Sequence, residues 1–143
     1  MIKEFKEEYR WLSNFYPVNI EYGNLIFPSV EHFYVAMKSQ DDLFRLSIAS
    51  LSGYEANIAK KLGKTITLRA DWDDIKLEVM EYALRQKFNV EKFKTLLLET
   101  KDEIIQEGNM WNDKFWGVCL KTNEGENNLG KLIMKIREEL IKK

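Results

Sequence analysis

The sequence predicts an α+β fold that is predominantly helical, a single compact domain with a small β-sheet or hairpin. Three observations predict it. Helical periodicity recurs from Ser29 to the C-terminus. Strict alternation is confined to Val18, Ile20 and Tyr22 near the front of the chain. Only 2 prolines and 7 glycines interrupt 143 residues, so regular elements joined by short turns should dominate. A hydrophobic share of 45% is ample for one core, and residues 1–143 read as one domain.

The first 27 residues read as extended. Val18, Ile20 and Tyr22 alternate with Asn19 and Glu21, Gly23-Asn24 gives a turn, and Leu25-Ile26-Phe27 is the return strand. Pro28 and Ser29 are start signals for a first helix running to about Gln40. Asp41-Asp42 opens a second helix, from Leu43 to about Leu51. Gly53 breaks the chain, and Tyr54 to Leu62 forms a third helix ended by Gly63. Asp71 is placed to cap a longer helix from Trp72 to about Phe88, with Ile75, Val79, Tyr82, Ala83 and Gln86 as its buried stripe. Glu91 to Thr100 is a further helix. Ile104-Ile105 and Trp116 to Leu120 are short strands. Asn127 or Asn128 caps a last helix whose apolar positions are Leu129, Leu132, Ile133, Ile136 and Leu140.

Charge excludes some classes. Lys and Arg (22) nearly cancel Asp and Glu (23), and no basic block stands out, so a general nucleic-acid-binding surface is not expected. A nucleotide pocket needs only two or three placed cations and stays open. One cysteine, Cys119, rules out an internal disulfide and suits a reducing compartment. No apolar run reaches membrane-spanning length and the charged first residues do not read as a signal peptide, so a cytoplasmic protein without membrane attachment is the expectation. A single histidine and a single cysteine, far apart, do not make a zinc site, and no phosphate loop, dinucleotide fingerprint or nucleophile elbow is present. No metal or organic cofactor is expected.

The most informative stretch is Pro28 to Lys38. Glu31 and Lys38 are seven positions apart, so on a helix they point roughly 20° apart, two turns from each other. Val30, Phe33, Val35, Ala36 and Met37 make the surrounding surface apolar. A carboxylate and an amine on a largely dry face make sense as a site. Glu31 reads either as a first-turn carboxylate stabilised by the helix dipole or as a general acid/base. Lys38 reads either as a helix-end amine, as a clamp for phosphate, or as an imine-forming nucleophile. His32 follows Glu31 and points about 100° away, which favours a structural role.

Elsewhere, Asn14 in Leu12-Ser13-Asn14-Phe15 is either a turn residue or an amide offered to a ligand. Arg69 and Trp72, three apart, are either a packed pair or a cation for phosphate beside an aromatic plate. Asp113 is either a turn residue or a catalytic carboxylate, in a loop made unusually aromatic by Trp111, Phe115 and Trp116.

Taken in order, Leu12-Ser13-Asn14-Phe15, Pro28-Ser29-Val30-Glu31-His32, Ala36-Met37-Lys38, Lys87-Phe88, Phe115-Trp116-Gly117 and Asn127-Asn128-Leu129-Gly130 resemble the YbiA-like, or NADAR, family of N-glycosidases, from about Phe5 to Leu140. Val118-Cys119-Leu120 departs from the glycine and acidic residues that often follow the family's Trp-Gly pair. The resemblance implies a mainly helical fold and a pocket for ribosylated heterocycles. Two substrate classes are implied: ribosylamino-pyrimidine phosphates of early riboflavin synthesis, and ADP-ribosylated guanine. It places Glu31, Lys38 and Asp113 as catalytic candidates, with Asn14, Arg69, Trp72 and Trp116 as substrate-binding candidates.

Two routes fit these residues. In one, Glu31 and Asp113 act as acid and base on an oxocarbenium-like transition state. In the other, which gives both aligned groups a task, Lys38 displaces the base by imine exchange and Glu31 shuttles protons. The competing classes are a non-catalytic ADP-ribose or nucleotide sensor and a structural protein.

Overall fold

The computed structural model describes residues 1–143. The chain divides into two units, Asn14–Lys87 and a second made of Met1–Ser13 with Phe88–Lys143.

The Asn14–Lys87 unit opens with the expected hairpin. β1 (Pro17–Tyr22) pairs antiparallel with β2 (Leu25–Ser29), and Tyr22 faces Leu25 across the loop. Gly23 takes the left-handed φ of +59° that the tight turn requires. The free edge of β1 is covered. Gln86 exchanges two hydrogen bonds with the Glu21 backbone (2.8 and 2.6 Å), and Tyr82 Oη donates to the same carbonyl (2.8 Å).

Four helices follow: α1 (Val30–Ala36), α2 (Asp42–Ala49), α3 (Ala56–Gly63) and α4 (Trp72–Lys87). α1 packs against the hairpin and all three other helices. Val30 and every residue from His32 to Met37 are therefore buried. Phe33 anchors an aromatic cluster, stacking on Tyr82 (5.3 Å) and meeting Phe27 and Tyr22 edge-on (5.7 Å each).

Several expectations are corrected here. Pro28 and Ser29 belong to β2, although Ser29 does cap α1 by accepting the His32 N–H. α1 ends at Ala36, so Lys38 lies in the turn beyond the helix. Lys38 N–H still bonds the Val35 carbonyl (3.1 Å), which preserves a helix-like path. Gly63 is the last residue of α3 rather than a stop signal after it, and its role is close packing: a Cβ there would stand 3.0 Å from Val35 Cγ1. The buried side of α4 is Trp72, Met80, Ala83, Leu84 and Lys87. Of the expected stripe, Tyr82 is exposed and meets β1 through its hydroxyl.

The other unit holds a 3-10 helix (Glu7–Leu12), α5 (Glu91–Glu99), α6 (Asn128–Ile141) and two-residue strands β3 (Gly108–Asn109) and β4 (Val118–Cys119), paired in parallel. The 3-10 helix falls in the region expected to be extended. Ile105 forms only a single bridge, to Ile2, and the strand expected over Trp116 to Leu120 shrinks to Val118–Cys119.

Asn127 occupies the cap position of α6. Its side chain nevertheless clamps the 105–107 segment, accepting from Glu107 N–H and donating to the Ile105 carbonyl (2.9 Å each). The Phe115 and Trp116 carbonyls take over the capping by accepting from Asn128 and Leu129 N–H (3.2 and 3.0 Å). No helix is long and apolar enough to cross a membrane.

Candidate active site

The start of α1 is fixed by the segment before the hairpin. The Asn14 carbonyl accepts the Glu31 N–H (3.0 Å), one of the orphan donors of the first turn. Asn14 is therefore held beside Glu31. Its Nδ2 donates to Met80 Sδ (3.6 Å), and its Oδ1 is buried with no hydrogen-bond partner. An unsatisfied buried acceptor costs about 1–3 kcal/mol. It marks a place where a ligand donor would be welcome.

At the other end of α1, the Lys38 carbonyl accepts the Arg69 N–H (2.9 Å), so the chain before α4 fixes this turn. The Lys38 amine lies 5.3 Å from the Tyr34 ring centroid, a cation–π distance. Tyr34 in turn meets Trp72 edge-on at 5.0 Å. Ala56, Ala59 and Gly63 form the buried side of α3 and let it approach α1. A Cβ on Gly63 would stand 3.7 Å from Lys38 Nζ.

Lys38 is half-buried and forms no ion pair. Burial holds its amine below the ordinary lysine range. The Glu31 carboxylate opposes that shift, and the neighbouring Lys60 and Lys64 ammoniums add to it. A lysine of this kind holds more of its neutral, nucleophilic form near neutral pH. Glu31 and Lys38 were expected on one helix face; only Glu31 stands on the helix, and the link between them is electrostatic.

Other candidates take different places. Arg69 is held by Asp71, with Nε donating to Oδ1 (2.6 Å) and Nη2 to Oδ2 (3.2 Å). Asp71 therefore spends its side chain on Arg69 rather than on capping α4, and Arg69 is committed as a brace rather than as an open phosphate clamp. That bond holds the Asp71 carboxyl below its usual range. Trp72 is only 5% exposed, so it supports Tyr34 instead of offering an open plate. His32 is fully buried. Its Nε2 faces the Ser52 carbonyl (3.1 Å) and so carries the proton, while Nδ1 accepts from Ser29 Oγ (2.6 Å). This assigns a neutral, structural histidine, whose burial lowers its pKa.

Asp113 and Trp116 lie in the other unit. Asp113 Oδ1 accepts the Phe115 and Trp116 N–H groups (3.2 and 3.0 Å), an Asx-type brace, and Oδ2 makes no hydrogen bond within the protein. Trp116 is half-buried against Phe115, edge-on at 4.8 Å.

Tyr34, Lys60 and Lys64 carry no functional signal of their own in the sequence, and Gly63 reads there only as a helix stop. Tyr34 stands four before Lys38, a spacing that could have flagged it. The α3 residues gave no local signal. No group of three or more His, Cys, Asp or Glu side chains is arranged to hold a metal ion.

Comparison with known proteins gives the family. The family model of the NADAR domain matches residues 2–141. The chain belongs to the NADAR domain family. Among the relatives of this NADAR domain is N-glycosidase Npun_R5314 of Nostoc punctiforme, 36% identical over 138 residues, covering 94% of the chain and 87% of the relative. N-glycosidase YbiA of Escherichia coli is 33% identical over 137 residues, covering 94% and 83%. A riboflavin biosynthesis protein of Vibrio vulnificus is 36% identical over 137 residues, of which the chain spans only 36% of the length. The NMR structure of E. coli YbiA superposes with a TM-score of 0.83 at 30% identity, covering 99% of this chain and 87% of that one.

Proposed function

We propose that this NADAR domain is an N-glycosidase that hydrolyses the bond between ribose and a heterocyclic base or exocyclic amine through an imine on Lys38. The observation that carries this reading is the Lys38 amine: half-buried, depressed in pKa, without an ion pair, and within electrostatic reach of Glu31. The N-glycosidase relatives supply the bond class.

The ribosylamine ring opens to a C1=N imine. Lys38 Nζ adds to C1, and the base nitrogen leaves with a proton delivered by Glu31. The resulting lysyl iminium takes up water activated by the Glu31 carboxylate, then collapses to free sugar and the amine. Asn14 Oδ1 accepts a donor on the substrate. Asp113 and Trp116, in the other unit, have no step assigned in this route.

The preferred substrates are ribosylamino-pyrimidine phosphates of early riboflavin synthesis. The relatives named riboflavin biosynthesis proteins, from V. vulnificus and Zea mays, support that choice. ADP-ribosylated guanine is the alternative. Incubation with one substrate of each class, with free base read by chromatography, tests both. Release from the first alone is the expected result. Release from neither would overturn the N-glycosidase reading and leave a binding protein.

A further inference from the structure

Two contacts fix Lys38. Its main chain is held from the segment before α4: the Arg69 N–H donates to the Lys38 carbonyl (2.9 Å), and Arg69 Nη1 donates to the Met37 carbonyl (3.4 Å). Its side chain runs back toward the preceding turn, where Nζ stands 5.3 Å from the centroid of the Tyr34 ring. That ring is itself held. Tyr34 is buried, and Trp72 meets it edge-on at 5.0 Å with the two planes 62° apart. Trp72 is the first residue of α4 and is buried as well. Arg69 to Trp72 therefore steadies both the backbone of Lys38 and the ring beside its amine.

An aromatic ring suits an amine that must react. A carboxylate in contact would keep the nitrogen protonated. A ring face attracts the ammonium more weakly, so the proton can leave without the amine losing its seat, and it attracts an iminium at the same position in the same way. Lys38 forms no ion pair. Burial disfavours its ammonium, Glu31 on α1 favours it, and Lys60 and Lys64 on α3 oppose it. Arg69 is bound to Asp71.

We propose that Tyr34 is a positioning residue of this N-glycosidase: its ring, braced by Trp72, holds the Lys38 nitrogen for attack on C1 and stabilises the iminium formed there. This rests on the imine route above. Tyr34 moves no proton and forms no bond; it acts only through Lys38.

The test changes the electronics of the ring and spares its shape. Tyr34→Phe keeps an aromatic face and is the reference. The same substitution with one, two and three ring fluorines drains the negative face stepwise. The ionisation of Lys38 is read without substrate, by NMR of lysine labelled with carbon-13 at the ε-carbon, with Lys38→Arg giving the assignment. It should move to lower pH with each fluorine, by about half a unit to one unit over the series, because the ammonium loses an attraction that the neutral amine does not feel. The kcat at the optimum pH should fall by about threefold to tenfold over the same series, through the weakened iminium. Equal fluorination of Phe33, whose ring stacks on Tyr82 instead, should move neither.

A graded shift together with a graded loss of kcat supports the proposal. A constant titration, or a kcat indifferent to fluorine, overturns it and leaves Tyr34 as core packing. If the wild type cleaves nothing, or cleaves with no borohydride adduct on Lys38, the imine reading falls instead. The substrate-free titration still decides the hold on the amine: a graded shift keeps it, and a constant one overturns it.

Discussion

Gly63→Ala probes the junction of α1 and α3 most sharply. The new methyl would stand 3.0 and 3.3 Å from the two Val35 γ-carbons, closer than ordinary contact, and 3.7 Å from Lys38 Nζ. Overpacking of this kind costs about 1–3 kcal/mol. Replacing glycine in a helix returns about 0.5–1 kcal/mol, and less at a terminal position such as this one. The net loss is about 1 kcal/mol, or about 4 °C in Tm for a chain of this size. The effect on chemistry should be larger. Attack needs the amine within about 3–3.5 Å of C1, and a misplacement of about 1 Å costs about a hundredfold. The expected outcome is a kcat/KM lower by about 10–100-fold with a small drop in Tm. Calorimetry and a base-release assay on the same preparation measure both. An activity within twofold of wild type, alongside the lower Tm, would refute the placement of Gly63 beside the reacting amine.

Three further outcomes follow from the geometry. Glu31→Gln should lower kcat by about a hundredfold or more, while the lost helix-dipole interaction costs at most about 1 kcal/mol in urea unfolding; a stability loss without a kcat loss would return Glu31 to a first-turn stabiliser. Asp113→Asn keeps an Oδ1 acceptor for the Phe115 and Trp116 N–H groups, so the melt should hold; the imine route gives Asp113 no proton to move, so kcat should stay within a few fold, and a fall of about a hundredfold would favour the two-carboxylate route instead. Lys87 is fully buried, and burial brings its amine down to about 7; the unfolded value is near 10.4, so between these limits the unfolded chain binds a proton that the folded chain has released. Stability should therefore rise with pH across that window, by up to about 1.4 kcal/mol per unit, and stay flat below it. Urea unfolding at pH 7, 8 and 9 reads the slope, which Lys87→Met should reduce.

The elements legible in the sequence are those whose signals are local. Alternation around Ile20 and the Gly23-Asn24 turn specify the hairpin without help from distant residues. Ser29 caps α1 and Asp41 caps α2 through their own side chains. What the sequence hid is set by partners far along the chain. α1 stops at Ala36, and the Arg69 N–H fixes the turn at the Lys38 carbonyl. β3 and β4 are two residues each and pair in parallel across a loop, too short for any pattern to register. Residues 7–12 give no periodicity that separates a 3-10 helix from an extended segment.

The site divides in the same way. Glu31 and Lys38 announce themselves by spacing on one dry face, and their electrostatic coupling survives the loss of the last helical turn. Arg69 and Trp72 show the limit of such reasoning. Their spacing is right for a cation beside an aromatic plate, yet Asp71 captures the guanidinium and the core takes the indole. Lys60 and Lys64 carry no motif. Only the approach of α3 to α1, permitted by Ala56, Ala59 and Gly63, brings them to Lys38.

The most direct test of the account is chemical capture at Lys38. Borohydride added during turnover should reduce the iminium to a stable secondary amine. Peptide mass spectrometry should then place a sugar adduct on Lys38 and on no other lysine, with activity lost as the adduct accumulates. Substrate consumed at the normal rate with no adduct, together with Lys38→Arg retaining most activity, would contradict the imine chemistry proposed for this fold.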